Sequence, residues 1–436
     1  MRVLLFILTL ALVGCTTPTK VTPPASSVVA MAAPHSKSVS YAVGSSADLD
    51  DLVQHALVHH PSITAAEAKV KRLLAKVPQV ASLPDPKFKI ASGAMAETAA
   101  GRVDWMAGVE QALPFPGKLR EMARAAGKDA EVAAAQLEAV RLSVAAQVEQ
   151  AYWNLYLASR TVAVTTQNST VLESVRSSVD ARVAANQANQ GDQLRLATEA
   201  GKLEQALIQA KRGEASARSR LNALLNRPAG SQLPTPKFRH RSHRKDLQAL
   251  LAVAESQHPE VKAASAELAA YQHRLNRAEL ERFPDFMLGV QHAAVSDSGL
   301  APSANGRDQV FASIGVSIPL WQAPRRAKID EARAGIEEST AKIGSARAGL
   351  RHEVEDAWLR SQSAEKLITL FDKQILPESQ QAFDGVLTGY GAGEETFVDA
   401  LDAWRQLLAF QLQQAGNQAQ LGQALAALRK ATGSQF

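Results

Sequence analysis

The sequence predicts an α+β membrane protein built as a duplicated repeat. Three observations predict it. Landmarks recur along the chain: His60-Pro61 with His258-Pro259, Pro84-Asp85 with Pro284-Asp285, Gly108-Val109 with Gly315-Val316, and Trp153 with Trp358. Long stretches rich in Ala, Leu, Gln, Glu, Lys and Arg carry no proline, a helix composition. Between the helical stretches of each copy lie two short segments that alternate apolar and polar residues, the period of a strand.

The chain opens with Arg2 and an apolar run from Val3 to Val13, too short to span a bilayer and shaped like a secretory signal. Its last residues, Leu12-Val13-Gly14-Cys15, resemble a bacterial lipobox. That resemblance implies cleavage before Cys15 and diacylation of its thiol. Thr16, where an Asp would favour retention, then favours export to the outer membrane. Cys15 is the only cysteine, so no disulfide is available even in a compartment that permits one. Residues 16–46 are rich in Ser, Thr, Pro, Ala and Val without periodicity and read as an extended tether.

The expected segments are a signal peptide (1–14), a lipidated tether (15–46), a first repeat (47–227), a linker (228–245) and a second repeat (246–436). Loss of the signal removes Arg2 and lowers the formal net charge from +5 to +4, too mild a balance to imply a nucleic-acid partner. The basic cluster Lys237, Arg239, Arg241, Arg244 and Lys245, with His240 and His243, falls in the linker and reads as a solvated connector, with a lipid-headgroup or partner contact as the alternative.

A helix is expected to open each repeat, over residues 50–77 and 246–282. Strands follow over 86–95 and 102–113, and over 285–294 and 307–320. Prolines are then absent between Pro116 and Pro228, between Pro324 and Pro377, and after Pro377. An apolar stripe runs through Leu137, Val140, Val144, Val148, Ala151, Leu155, Ala158 and Val162. A second runs through Leu350, Val354, Ala357, Ser361, Ala364, Ile368, Phe371 and Ile375. Such spacing suits long helices packed side by side. Each long helix meets a turn, residues 186–191 or 389–393, and returns near Asp192 or Glu395, where a negative residue would cap or complement the new helix. Past the signal there is no apolar run of eighteen residues, so membrane crossing requires strands closed into a barrel. Four strands cannot close alone, because the smallest membrane barrels have about eight. Several copies must pool them.

The stretch Gln374-Ile375-Leu376-Pro377-Glu378, leading through Tyr390, Gly393, Phe397, Val398, Asp399, Leu401, Asp402 and Ala403 to Leu407-Leu408, resembles the TolC-like outer-membrane efflux factor family. Leu83-Pro84-Asp85-Pro86 and Gln111-Ala112-Leu113-Pro114-Phe115-Pro116-Gly117-Lys118 look like the branch serving heavy-metal and cation pumps. The resemblance covers nearly everything after the tether. It implies a homotrimer with a twelve-stranded outer-membrane barrel, four strands per subunit, continued by a long periplasmic α-helical barrel. It also implies a periplasmic adaptor and an inner-membrane RND transporter as partners. The helix turns would form the periplasmic tip, with Asp192, Glu394, Glu395 and Asp399 as gate candidates. Asn186 stands in the first turn where Gly393 stands in the second. Pro377, without a counterpart in residues 169–175, is expected to kink its helix.

The sequence holds no nucleotide-binding glycine loop, no helix-borne double-His zinc signature with Glu and no serine elbow. Neither an enzyme nor a bound cofactor or metal is expected. His55 and His59 share a helix face but lack a full ligand set. Trp105, Trp153, Trp321, Trp358 and Trp404 read as interface anchors or helix-packing residues. Three functions stay open: an export duct for heavy-metal cations, the same duct for drugs or type I protein secretion, and a lipid-anchored periplasmic coiled-coil scaffold.

Overall fold

The computed structural model describes residues 48–93, 97–98, 101–239, 246–297 and 306–433. The signal segment, Cys15, the tether, and residues 240–245 of the basic link lie outside the described residues. The first copy runs α1 (Leu49–His59), α2 (Pro61–Ala81), β1 (Lys87–Ser92), β2 (Glu97–Thr98), β3 (Gly101–Leu113), α3 (Lys118–Ala184) and α4 (Gln190–Leu224). The second runs α5 (Leu247–Gln257), α6 (Pro259–Leu280), β4 (Asp285–Ser296), β5 (Gln309–Ser317), α7 (Gln322–Leu370), a π-helical turn (Phe371–Ile375), α8 (Leu376–Ala392) and α9 (Phe397–Thr432). No helix among the described residues is long and apolar enough to cross a membrane.

The single helix expected to open each repeat is two. His60 and His258 cap α1 and α5 in extended backbone, at ψ 124° and 137°. A proline excludes the helical conformation from the residue before it yet suits the first helical position, so each His-Pro pair ends one helix and starts the next. The strand expected to reach 320 stops at Ser317, ahead of Pro319, which has no N–H to donate.

The chain divides into two compact units. One contains Glu67–Ala135 and Lys262–Gly344; the other contains Gln136–Val261, Ser345–Phe436 and the described residues before Glu67. The first unit carries the sheet, antiparallel in the order β1-β3-β4-β5, with β2 paired to β3. Its central contact joins the two repeats, β3 against β4, from Leu113 opposite Phe286 to Arg102 opposite Ser296. Both outer edges, β1 and β5, are unpaired among the described strands. Cross-strand partners share a face. Phe88, Ile90, Val109, Phe286, Leu288, Val290, Ile314 and Val316 fall on one side with Gln111, and Lys87, Lys89, Glu110, Gly289, Gln291, Ser313, Gly315 and Ser317 on the other with Met287 and Phe311. Lys89 and Glu110 form an ion pair on the polar side at 2.6 Å.

The hairpin registers correct the glycine landmark. Lys87 faces Glu110, and its equivalent Met287 faces Gly315, so Glu110 rather than Gly108 corresponds to Gly315. Where the strands meet the helices, Asp285 accepts hydrogen bonds from the Phe115 backbone N–H (2.6 Å) and from Lys118 Nζ (2.7 Å). Lys118 also donates to the Phe283 carbonyl at 3.1 Å. This clip gives the Pro-Phe-Pro-Gly-Lys and Pro-Asp motifs a structural reason: they join repeat one to repeat two.

In the second unit, α3 enters as part of a helix continuous over 67 residues, on the order of 100 Å at 1.5 Å per residue. Most of the predicted stripes are core: Leu137, Val144, Val148, Ala151 and Leu155 are buried, as are Leu350, Val354, Ala357, Ser361, Ala364, Ile368 and Phe371, while Val140, Ala158, Val162 and Ile375 are half-buried. Matching buried positions pairs Val144 with Leu350 and Val148 with Val354, which shifts the Trp153 and Trp358 landmark by one residue. Trp153 and Trp404 are buried in helix packing, whereas Trp105 and Trp321 are 38% and 78% exposed.

His258 closes the C-terminal end of α9. Its Nε2–H donates to the Lys430 carbonyl at 3.1 Å, and its Nδ1 accepts the Glu260 N–H at 3.3 Å. Burial lowers its pKa, although the Lys430 carbonyl and the nearby Glu260 and Glu353 favour the charged form. A folded-state pKa below the unfolded value of about 6.5 means that the unfolded chain binds the proton first as pH falls. Stability is therefore unaffected well above pH 7 and declines on acidification through the unfolded pKa. Between pH 7 and 5 the wild-type Tm is expected to fall further than that of His258→Gln; equal losses would contradict the assignment.

Candidate functional site

The site is the pair of helix turns, both in the second unit. α3 and α8 each end with a residue in left-handed backbone, Asn186 at φ 58° and Gly393 at φ 84°. In both, the next N–H reaches back to the carbonyl at the start of the last turn: Gln187 to Arg182 (2.8 Å) and Glu394 to Gly389 (2.9 Å). Asparagine thus performs the glycine's role, since its short polar side chain tolerates this conformation.

The returning helices start earlier in one case and later in the other than expected. Asn189 caps α4, accepting the Gly191 N–H at 2.6 Å, and Thr396 caps α9. Asp192 and Asp399 consequently occupy equivalent third positions of their helices, while Glu395 precedes its cap and Glu394 lies in the turn. The carboxylates differ in occupation. Asp399 completes a capping box, accepting the Thr396 N–H at 3.3 Å while its own N–H donates to Thr396 Oγ1 at 3.2 Å. Asp192 makes no such bond among the described residues. The Glu395 stem lies over Gly389, where a Cβ would stand 2.7 Å from it.

Behind Asp192 sit two residues that the charge pattern did not reveal. The Arg182 guanidinium lies 4.5 Å from the Tyr390 ring centroid, and Tyr390 packs on Phe397 at 5.8 Å. Tyr390 Oη and Arg182 Nε and Nη1 are buried without hydrogen-bond partners. Burial raises the Tyr390 pKa, the Asp192 charge raises it further, and Arg182 opposes both. The available signal for Arg182 was its place in a helix's last turn, where a cation complements the carbonyl end.

A cluster of Leu172, Val175, Val179, Leu196, Leu203, Phe383, Tyr390, Phe397, Leu401 and Trp404 holds the α3/α4 and α8/α9 hairpins together. An ion pair crosses it. Glu199, 7% exposed, accepts from Arg405 Nη2 at 2.5 Å and Lys202 Nζ at 2.8 Å. The Arg405 hydrogen bond holds its carboxyl below the usual carboxylate range against the cost of burial. A groove of about 610 Å³ runs between α3 and α4, lined by Leu172, Glu173, Arg176, Asp180, Leu196 and Leu203 among others.

Pro377 lies just inside α8, directly after the π-helical turn. The Leu376 N–H reaches five residues back to the Phe371 carbonyl, so the helix interruption expected at the proline begins before it. The turn residues Asn186 and Gly393 are one residue further apart than the buried pairs Val144 and Leu350 upstream. A π-turn accommodates one such extra residue.

His55 and His59 stack at 4.2 Å, and His59 Nδ1–H donates to the His55 carbonyl at 2.9 Å. Among the described residues no group of three or more His, Cys, Asp or Glu is placed to hold a metal.

The family profile described as Outer membrane efflux protein matches residues 52–227 and 250–434. The cobalt-zinc-cadmium resistance protein CzcC of Cupriavidus metallidurans is 26% identical over 332 residues, 74% of this chain and 75% of its own. The pyoverdine export outer membrane protein OpmQ of Pseudomonas putida is 25% identical over 466 residues, 98% of this chain and 96% of its own. In fold, the outer membrane protein VceC of Vibrio cholerae superposes with a TM-score of 0.74 at 20% identity, over 89% of this chain and 96% of VceC. The chain belongs to the outer membrane efflux protein family, and it is a passive channel component rather than an enzyme.

Proposed function

We propose that three copies of this chain pool their strands into a twelve-stranded outer-membrane barrel, four per copy, continued by a periplasmic helical tunnel. The observation that carries this reading is the sheet's pair of unpaired edges. Four antiparallel strands leave β1 and β5 running in opposite directions, so β5 of one copy can pair antiparallel with β1 of the next. An open edge in lipid would leave backbone groups without partners. The apolar face suits lipid and the polar face an aqueous lumen. In a soluble scaffold the same apolar face would be left in water.

The duct works with a periplasmic adaptor and an inner-membrane RND transporter, and acylation at Cys15 anchors it. CzcC's description supports cobalt, zinc and cadmium cations as cargo; OpmQ's supports a small organic cargo as the second reading. Deleting the gene is expected to sensitise cells to those cations, with restoration by the wild-type chain. Sensitivity confined to organic compounds would favour the second reading.

The two turns form the entrance. Asp192 is its foremost gate residue, because Asp399 is committed to a helix cap; Glu394 and Glu395 add exposed charge in the second turn. Asp192→Asn is expected to change conductance in planar bilayers by several-fold, whereas Asp399→Asn chiefly weakens α9 by about 1 kcal/mol. Unchanged conductance in Asp192→Asn would remove it from the gate. Pro377 and its π-turn supply the bend through which the entrance opens, and Pro377→Ala is expected to lower the open fraction.

A further inference from the structure

The chain contains a template for the contact it lacks. Repeat one's second strand, β3, pairs with repeat two's first strand, β4, inside one chain. The corresponding contact, repeat two's second strand β5 with repeat one's first strand β1, is unmade among the described residues, where both are edges. This inference rests on the multi-copy reading and adds what that reading leaves open, the register of the joint.

Two independent matches fix the equivalences. The Pro84-Asp85 and Pro284-Asp285 motifs align Lys87 with Met287. Lys87 faces Glu110 and Met287 faces Gly315, so Glu110 corresponds to Gly315. The same alignment places Pro114 on Pro319 without adjustment. Within the chain, Val109 faces Val290, Gln111 faces Leu288, Glu110 faces Gly289 and Gly108 faces Gln291.

Substituting equivalents, we infer that Ile314 pairs with Ile90 of a second copy and Val316 with its Phe88. Gly315 then faces Lys89, and Ser313 faces Ala91. Two features of the structure agree with this register. Ile314, Val316, Phe88 and Ile90 are 76, 49, 69 and 68% exposed, and the pairing sets apolar against apolar on one face. A slip of one residue would reverse every side chain. The charged member of each joint faces a glycine: Glu110 faces Gly289 inside the chain, and Lys89 faces Gly315 between copies.

Cysteine cross-linking of the full-length protein in outer-membrane vesicles tests the register. The double variant Ala91→Cys/Ser313→Cys, oxidised with diamide, is expected to give covalent dimers and trimers on a non-reducing gel. The slipped pair Lys89→Cys/Ser313→Cys is expected to give roughly tenfold less, because diagonal residues lie about 7–8 Å apart, beyond ordinary disulfide reach. The single variants control for Cys15. Preferential linkage of the slipped pair would overturn the register and leave the shared barrel standing. Absence of linkage at every pair in a protein that is monomeric would overturn the shared barrel itself. Absence of linkage in a trimeric protein would overturn this register alone.

Discussion

Gly422→Ala is expected to destabilise the helical unit by about 1–3 kcal/mol, and Gly422→Val by more, through overpacking. A Cβ at Gly422 would stand 2.0 Å from the Trp153 indole. The ring has nowhere to go: it packs edge-on against Tyr152 at 5.2 Å and Tyr156 at 5.6 Å, with Phe238 at 6.2 Å. Trp153 Nε1 has no hydrogen-bond partner, so packing alone holds the indole in place. The glycine is thus the small residue that lets α9 lie against α3. Thermal unfolding followed by circular dichroism checks the prediction, with Trp153→Phe in the Gly422→Ala background expected to recover part of the loss. An unchanged Tm in Gly422→Ala would contradict the close approach.

Ile314→Arg is expected to block barrel assembly, while Ser313→Arg, one residue away on the other face, assembles and alters conductance. An arginine on the lipid side of a barrel costs about 2–4 kcal/mol near the bilayer midplane, and each copy in a shared barrel would carry one. The pairing places Ile314 beside Leu288 on the apolar face, and Ser313 beside Gly289 on the polar face. In a soluble hairpin, replacing an isoleucine that is already 76% exposed would change stability by only about 0.5 kcal/mol. Heat-modifiable gel migration and bilayer conductance separate the cases. Wild-type assembly of Ile314→Arg would contradict the lipid-facing assignment.

Much of this architecture is legible in the residues. Proline-free composition predicts the long α3, and the apolar stripes name most of the positions that α3 and α7 bury. His-Pro pairs are visible as landmarks, but their meaning as helix breaks depends on whether the chain bends there, which composition does not decide. The alternation of residues shows the strands, yet not that β3 meets β4, because strand order is a long-range choice. The π-turn is less accessible still: one extra residue leaves the hydrophobic period nearly intact and shows only when burial upstream is compared with the turn downstream. At the site, charge alone identifies Asp192 and Asp399 as candidates. Their difference arises from the neighbouring cap, Asn189 in one turn and Thr396 in the other, because only Thr396 builds the reciprocal box. Arg182 and Tyr390 lie far apart in sequence, and only packing brings them together.

Native mass spectrometry of the full-length protein released from detergent tests the shared barrel most directly. Three copies sharing one barrel give a species with three times the mass of one processed chain; a stable, folded monomer under the same conditions would contradict the shared barrel.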